Sequence, residues 1–345
     1  MINKYRYILF PFSILYAIIT GLRNGLYDKH ILKQEKFDVP VINVGNLSMG
    51  GTGKTPMIEY LIRLLKNNYR IAVVSRGYKR KTNGFILADK KSTPEQIGDE
   101  PYQIYKKFPQ INVAVGENRV EAVRKVLAKI NPDVILLDDA FQHRRLKAGL
   151  NILLTSYQKP FFRDFILPAG NLRESKKGAE RADIVVVTKS PERIEEAEKE
   201  LIVRAVKKYT ATPIFFAGIK YGASVVNEQK QILLSDLSDY AVLLVTGIAN
   251  PKPLYWFLSE KNINFESLKF GDHHHFSQAD VQQINKAFER LKAQHKIILT
   301  TEKDFVRLHR HFDDELYYLP IETQVFEKEL FNNKILAYVS NKRRI

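Results

Sequence analysis

Apolar positions along this chain recur with two different spacings. Residues 41–44, 71–75, 134–137 and 184–187, with shorter stretches near 113 and 152, are uncharged runs of mainly aliphatic and β-branched side chains, interrupted by Asn43 and closed by Ser75 in the first two. Runs of this kind predict strands buried on both faces of a parallel sheet. Between them, residues 56–66, 119–130 and 192–208 carry apolar side chains three and four positions apart, as in Met57, Ile58, Leu61, Ile62, Leu64 and Leu65. That spacing predicts helices with one buried face. Strand and helix alternate, which predicts an α/β fold built on a doubly wound, mostly parallel sheet. From Pro213 a second, smaller α/β unit is expected, with strands at 241–246 and 296–300 and a helix over 280–292. The expected boundaries are an N-terminal helix over 1–30, a first domain over 31–212 and a second over 213–345, with the site in the cleft between the domains.

The first segment departs from both patterns. From Tyr7 to Leu22 the chain is uncharged and apolar, with Lys4 and Arg6 before it and Arg23 and Lys29 after it. It contains Pro11 and falls short of the ~20 residues that cross a bilayer. No small-residue cleavage site follows it. The segment is expected to lie in a membrane interface as a peripheral or monotopic helix, with Tyr5, Tyr7, Tyr16 and Tyr27 near the headgroups. The alternative is a helix buried against the protein's own core.

Composition narrows the chemistry. The 345 residues contain no cysteine, so disulfides and thiolate metal sites are excluded. An excess of 54 Lys and Arg over 38 Asp and Glu gives a net charge of +16, which favours an anionic partner such as phosphate or a lipid surface. The basic residues are dispersed and form no stripe, so nucleic acid is not an expected partner, and nothing implies an obligate protein partner.

The run at 41–44 leads into Gly45-Asn46-Leu47-Ser48-Met49-Gly50-Gly51-Thr52-Gly53-Lys54-Thr55, after which the helical spacing begins. Strand, glycine loop and helix in that order make a phosphate cradle. Gly50, Gly51 and Gly53 let amides converge on phosphate oxygens at the positive end of the helix, Lys54 reaches the outer phosphates, and the Thr55 hydroxyl is suited to Mg²⁺. Nucleotide binding is therefore assigned to Ser48, Met49, Gly50, Gly51, Thr52, Gly53, Lys54 and Thr55. The strict pattern has glycine where this chain has Ser48, so the loop is a G-G-x-G-K-T variant.

The strand at 134–138 delivers Asp138 and Asp139 to its C-terminal end, where a Mg²⁺ held by Thr55 needs an acidic contact. Asp99 and Glu100, before Pro101, mark a helix start, and capping and catalysis both account for them. In Thr188-Lys189-Ser190, serine stands where guanine-selective loops carry aspartate. Asp272-His273-His274-His275 does not have zinc spacing, since adjacent imidazoles cannot converge on one ion. Thr300-Thr301-Glu302-Lys303-Asp304 is expected to cap a helix starting near Asp304.

Taken in order, VGNLSMGGTGKTP, SRGY, GDEP, VGENR, LLDDAFQH, LPAGNLRE, ADIVVVTKS, FGDHHHF and TEKD resemble the tetraacyldisaccharide 4'-kinase family, the lipid A 4'-kinases of Gram-negative bacteria. The resemblance extends to about Asp304. It implies transfer of the ATP γ-phosphate, with Mg²⁺, to the 4'-hydroxyl of an acylated glucosamine disaccharide 1-phosphate, at the cytoplasmic face of the inner membrane. It also implies Asp99 as general base assisted by His273, Lys54 and Asp139 in catalysis, and Thr55, Glu100 and Asp138 on the metal. Arg119, Gln142, His143, Asn171, Arg173 and Glu174 are then expected at the substrate, the two arginines sharing the γ-phosphate and the 1-phosphate in an order the sequence leaves open. A regulatory P-loop NTPase, a switch or metallochaperone, is the competing class, because its glycine loop would look much the same.

Overall fold

A computed structural model describes residues 4–272, 274–312 and 314–342. His273 and the side chains of Tyr5 and Tyr7, all singled out from sequence, lie outside the described part. In chain order the elements are α1 (Phe10–Asp28), β1 (Val41–Asn46), α2 (Lys54–Leu65), β2 (Ile71–Ser75), β3 (Ile86–Leu87), α3 (Pro94–Ile97), α4 (Asp99–Lys107), β4 (Asn112–Val115), α5 (Arg119–Ile130), β5 (Val134–Asp138), β6 (Leu150–Ser156), β7 (Ile184–Thr188), α6 (Glu196–Lys207) and β8 (Ile214–Tyr221). There follow β9 (Ser224–Val226), β10 (Gln231–Leu233), β11 (Ala241–Thr246), α7 (Lys252–Glu260), β12 (Phe265–Lys269), α8 (Gln278–Arg290), β13 (Lys296–Thr301), α9 (Glu302–Leu308), β14 (Leu316–Leu319), β15 (Ile321–Val325) and α10 (Lys328–Lys342).

The first sheet has the order β15-β8-β7-β6-β1-β5-β2-β4-β3. Strand β1 lies between β5 and β6, parallel to both, and β2, β4, β7 and β8 continue the parallel set. Alternation within each buried run divides the core. Ile42, Val44, Val73 and Leu136 pack against α2, α4 and α10 through Met57, Ile104 and Phe331. Val41, Val74 and Ile135 pack against α5 through Val120, Val123 and Val126. The α/β reading and the doubly wound sheet therefore hold. With helices on both faces, the loops at the C-terminal ends of β1, β2 and β5 share one edge, the place where such sheets bind ligands.

The second unit carries its own sheet, β10-β9-β14-β13-β11-β12, in which β12, β11, β13 and β14 run parallel. Its extent differs from the sequence boundary. Residues 220–322 form the second unit, and residues 323–342 return to the first. Helix α10 accounts for this, because Phe331, Ile335 and Val339 are wholly buried in the core of the first sheet. Thr301 caps α9 by accepting from the Asp304 amide, as expected of this segment, and the helix starts at Glu302.

Helix α1 inverts the usual rule. Its buried side chains are Ser13 and Thr20, while Phe12 is 61% and Leu22 66% exposed. Polar groups dock it. Ser13 Oγ donates to the Ile166 carbonyl (3.0 Å) and accepts from the Ala169 amide (2.9 Å), and Asn24 Nδ2 donates to Glu174 (2.7 Å). Tyr16 turns inward, its hydroxyl donating to the Arg173 carbonyl (3.1 Å), and Tyr27 lies under the Arg144 guanidinium, so neither points towards headgroups as expected. The alternative of a helix buried by its apolar side is excluded by the same exposures. Pro11 falls in the first turn, where its missing N–H breaks no helical bond. Among the described residues no helix is long and apolar enough to cross a membrane.

Candidate active site

The glycine loop connects β1 to α2 at the sheet's C-terminal edge. Gly53 caps α2 at φ +85°, a left-handed conformation that side chains with a Cβ resist. Asn46 Nδ2 donates to the Thr52 hydroxyl (2.7 Å) and Thr188 Oγ1 to the Thr52 carbonyl (2.7 Å), so the loop is braced from within and from β7. Its opening half has another task. Ser48 forms a bridge with Leu172, and the Met49 amide donates to the Asn171 carbonyl (2.7 Å). Ser48 and Met49 thus hold the loop at 164–174, and the amides left to face a phosphate begin at Gly50.

Two neighbouring acids end β5 in opposite electrostatic states. Asp138 is 1% exposed. Ser75 donates to its Oδ2 (3.1 Å), and Oδ1 has no partner. Burial, then the charge of Glu100, pushes its carboxyl up to about 7. Burial opposes ionisation of Asp139 as well, but Lys54 and Arg173 outweigh it and hold that carboxyl below its ordinary value. Arg173 makes a two-pronged contact with Asp139 (3.0 and 2.7 Å), also reaching the Asn46 carbonyl and side chain, and Lys54 Nζ lies 3.6 Å from Asp139.

Asp99 and Glu100 open α4. Gly98, at φ +91°, sits where an added Cβ would be strained and would lie a tight 3.2 Å from Gly77 and the Tyr78 carbonyl, so the SRGY and GDEP loops are in contact. Helix α4 is anchored to α2 from below: Glu59, 1% exposed, accepts from Gln103 (2.9 Å) and Lys107 (2.7 Å).

A cationic corner adjoins these acids. Arg119, buried at the start of α5, donates to the Gly116 and Glu117 carbonyls (3.0 Å each). Burial lowers it to about 10 against the pull of Asp138. His143 is pushed down to about 4, by burial first and then by Arg119, Arg145, Arg23 and Arg76, and its Nε2 has no partner. It is therefore a neutral imidazole among cations.

A family comparison decides between the two P-loop classes. The pattern of the tetraacyldisaccharide-1-P 4'-kinase family matches residues 5–340. The chain belongs to that family. It is 51% identical to the tetraacyldisaccharide 4'-kinase of Flavobacterium johnsoniae over 98% of each chain, and 45% identical to that of Bacteroides thetaiotaomicron over 97% and 94%. Among solved structures it resembles the LpxK of Aquifex aeolicus crystallised with ATP, at TM-score 0.79 and 33% identity, covering 97% of this chain and 99% of that one.

Within this 4'-kinase family chain, the residues expected at the substrate do not all reach a cavity. Glu174 is 0% exposed, and its oxygens take Asn24, Gln142 (2.9 Å) and Arg181 (2.8 Å). It ties α1 to the site from beneath. Asn171 is held by Asp164 (3.0 Å) and receives Arg6 (3.3 Å). Gln142 donates to the Asn46 carbonyl (2.9 Å), leaving its own side-chain oxygen without a partner. Ser75, Asn46, Asn24, Arg181 and Glu59 were missed from sequence. Ser75 and Asn46 lie inside motifs already singled out, whereas Asn24, Arg181 and Glu59 carry no local signal, since only the fold brings them to their partners.

Proposed function

We propose that this chain transfers the γ-phosphate of ATP to the 4'-hydroxyl of an acylated glucosamine disaccharide 1-phosphate in lipid A biosynthesis, at the cytoplasmic face of the bacterial inner membrane. The observation that carries the reading is the convergence of the Gly50 to Thr55 cradle with Asp138, Asp139 and Arg173 in a member of this kinase family. A P-loop alone would fit any nucleotide hydrolase.

The donor set fits a magnesium ion. Asp138 offers a buried carboxylate oxygen with no partner, and its raised pKa is what a carboxylate shows when a cation is needed to offset burial. Mg²⁺ takes one or two carboxylates and completes its shell with nucleotide phosphates and water, so a protein donor set this small suffices. Thr55, Asp138 and Glu100 would hold it, and when bound it neutralises charge on the β- and γ-phosphates.

In this reading Lys54 contacts the transferred group while Arg173, locked on Asp139, stands on the nucleotide side. Arg119, with neutral His143 and Arg76, then serves the acceptor's phosphate. Asp99 takes the proton of the attacking hydroxyl. Gln142 offers its unpaired oxygen to a sugar hydroxyl, and Asn171 and Glu174 position the loop and α1 rather than touching substrate.

The test supplies γ-labelled ATP and a tetraacylated disaccharide 1-phosphate in detergent and follows label in the lipid. Wild-type protein should label it, and Asp99→Ala should cut kcat by about 10²–10⁴ while KM for ATP stays in place. Hydrolysis of ATP with no labelled lipid would instead favour the regulatory NTPase.

A further inference from the structure

We propose that Arg80 is a positioning residue for phosphoryl transfer, its buried guanidinium fastening together the loops that carry Asp99 and Arg119. The inference rests on the function proposed above and adds a residue that none of the sequence motifs contains. Arg80 follows SRGY by two positions, between exposed Lys79 and Lys81. Its side chain is nevertheless only 3% exposed.

Three loops meet at this side chain. Its Nη2 donates to the Gly84 carbonyl and to the Glu117 carboxylate, and Glu117 in turn accepts from the Gly84 amide (3.1 Å). Glu117 lies two residues before Arg119, whose guanidinium is held by the Gly116 and Glu117 carbonyls. On its other side Arg80 packs against Gly77. A Cβ at Gly77 would fall 2.5 Å from Arg80 Cδ, 3.1 Å from its Nε and 2.9 Å from the Ile97 carbonyl oxygen. Only a residue without a side chain lets Arg80 and that carbonyl, which directly precedes Gly98 and Asp99, approach so closely. The adjoining chain reinforces the join: the Lys81 amide donates to the Glu95 carbonyl (2.7 Å) and Thr82 Oγ1 to the Gln96 carbonyl (2.5 Å).

Stability does not account for such a residue. Among the described residues, Arg80 Nε and Nη1 are buried and have no partner, and a buried donor left unpaired costs free energy. An apolar side chain of similar volume would fill the space without that cost. What arginine supplies instead is a rigid fork, able to fix the distance between the Gly77 turn and the Glu117 loop. The Gly77 turn touches Gly98, next to Asp99, and the Glu117 loop carries Arg119. The fork therefore sets the spacing between the proposed base and the arginine proposed for the acceptor's phosphate. The glycine loop is braced by Asn46 and Thr188 instead, which makes nucleotide binding independent of Arg80.

Transfer of label from γ-labelled ATP to the acceptor lipid, measured alongside the melting of each variant, tests the assignment. Arg80→Lys keeps the charge and a bond to Glu117 but loses the fork. It should melt near the wild type while kcat falls roughly 10–10²-fold, as when a catalytic group is misplaced. KM for the acceptor should rise with it, because Arg119 depends on the same join, and KM for ATP should stay in place. Glu117→Gln, at a side chain 45% exposed, keeps an acceptor but weakens the bond, so it should give a smaller fall of the same kind. It also carries the test should Arg80→Lys fail to fold. In the double variant the two losses should not multiply, since both break one join. Unchanged kcat in folded variants overturns the inference. So does a loss of activity that only tracks the unfolded fraction, or a rise in KM for ATP in step with the fall in kcat, which would mean a general loosening of the site. If the wild type labels the lipid and both variants match it, the positioning role alone falls; if the wild type labels nothing, the transfer reading falls with it.

Discussion

Helices α1 and α2 both support the phosphate site, and they do so with opposite faces. Helix α2 buries Met57, Ile58, Leu61, Ile62 and Leu65 under the sheet, and its stability follows from ordinary hydrophobic burial. Helix α1 turns Ser13, Tyr16, Thr20 and Asn24 to the protein and leaves Leu15, Ile18 and Leu22 outside. Hydrogen bonds of about 1 kcal/mol each hold it, and among the described residues that outer apolar face has no partner. Helix α2 has its apolar face covered by the protein, whereas α1 leaves its apolar face exposed. In the proposed reading, that contrast separates the nucleotide half of the site from the half that meets a lipid.

The largest effect should come from the α2 side. Lys54→Ala removes the cation that faces Asp139 and, in the proposed reading, the transferred phosphate. Loss of one preorganised electrostatic contact costs about 10²–10³ in kcat, read in detergent so that membrane binding plays no part. If flotation with liposomes also fell, the two helices would not act independently.

The next effect belongs to α1. Leu15, Ile18 and Leu22 share one face, and each is worth about 1.5–3 kcal/mol when buried. Leu15→Asp with Leu22→Asp should reduce vesicle binding by roughly 10²-fold or more, while transfer to a detergent-dispersed acceptor persists. Unchanged flotation would show that α1's bare face does not meet the bilayer.

How far the sequence exposes this contrast depends on range. The buried strands and the glycine loop are legible because each is a local pattern: β1 is uncharged and buried throughout, and Gly50 and Gly53 carry backbone angles that few other residues adopt. Asp138 at the end of β5 follows from the same logic. The role of Glu174 does not, because a buried carboxylate and a sugar-binding one look alike until Asn24, Gln142 and Arg181 are brought to it. Tyr16 misleads for a related reason: in an apolar run an aromatic with a hydroxyl suggests an interface, yet the hydroxyl found a carbonyl inside the protein. The placement of α10 is invisible locally, since its buried residues Phe331, Ile335 and Val339 complete a core begun three hundred residues earlier.

A smaller effect concerns the acid pair. Folded Asp138 keeps its proton up to about pH 7, whereas the unfolded chain releases it near 3.8. Between those values the folded state binds the extra proton, so stability attributable to this group falls as pH rises from about 4 to about 7 and is level above. Asp138→Asn should remove that slope from the melting temperature while abolishing added stability from Mg²⁺ with ATP. In the wild type that added stability should grow as pH rises through 7, because the metal needs the carboxylate. A slope identical in the variant would place the titration elsewhere.

The smallest effect should separate support from chemistry. Glu59 touches neither loop of the site, but its carboxylate joins α2 to Gln103 and Lys107 on the helix that begins with Asp99 and Glu100. Glu59→Gln keeps the volume and one acceptor and removes the carboxylate charge that Arg63 (3.2 Å) and Lys107 (2.7 Å) share. Lys107 is partly exposed, so water relieves it, and the cost should be about 1–3 kcal/mol in stability. Because the consequence is a looser α4, kcat should fall several-fold with KM for ATP unchanged, in contrast to any substitution in the glycine loop. Adding Lys107→Met should recover part of both losses, since the two residues act as one unit and their effects are not additive. Full additivity would mean that Glu59 stabilises α2 alone, and that the acids at the start of α4 are positioned by their own loop.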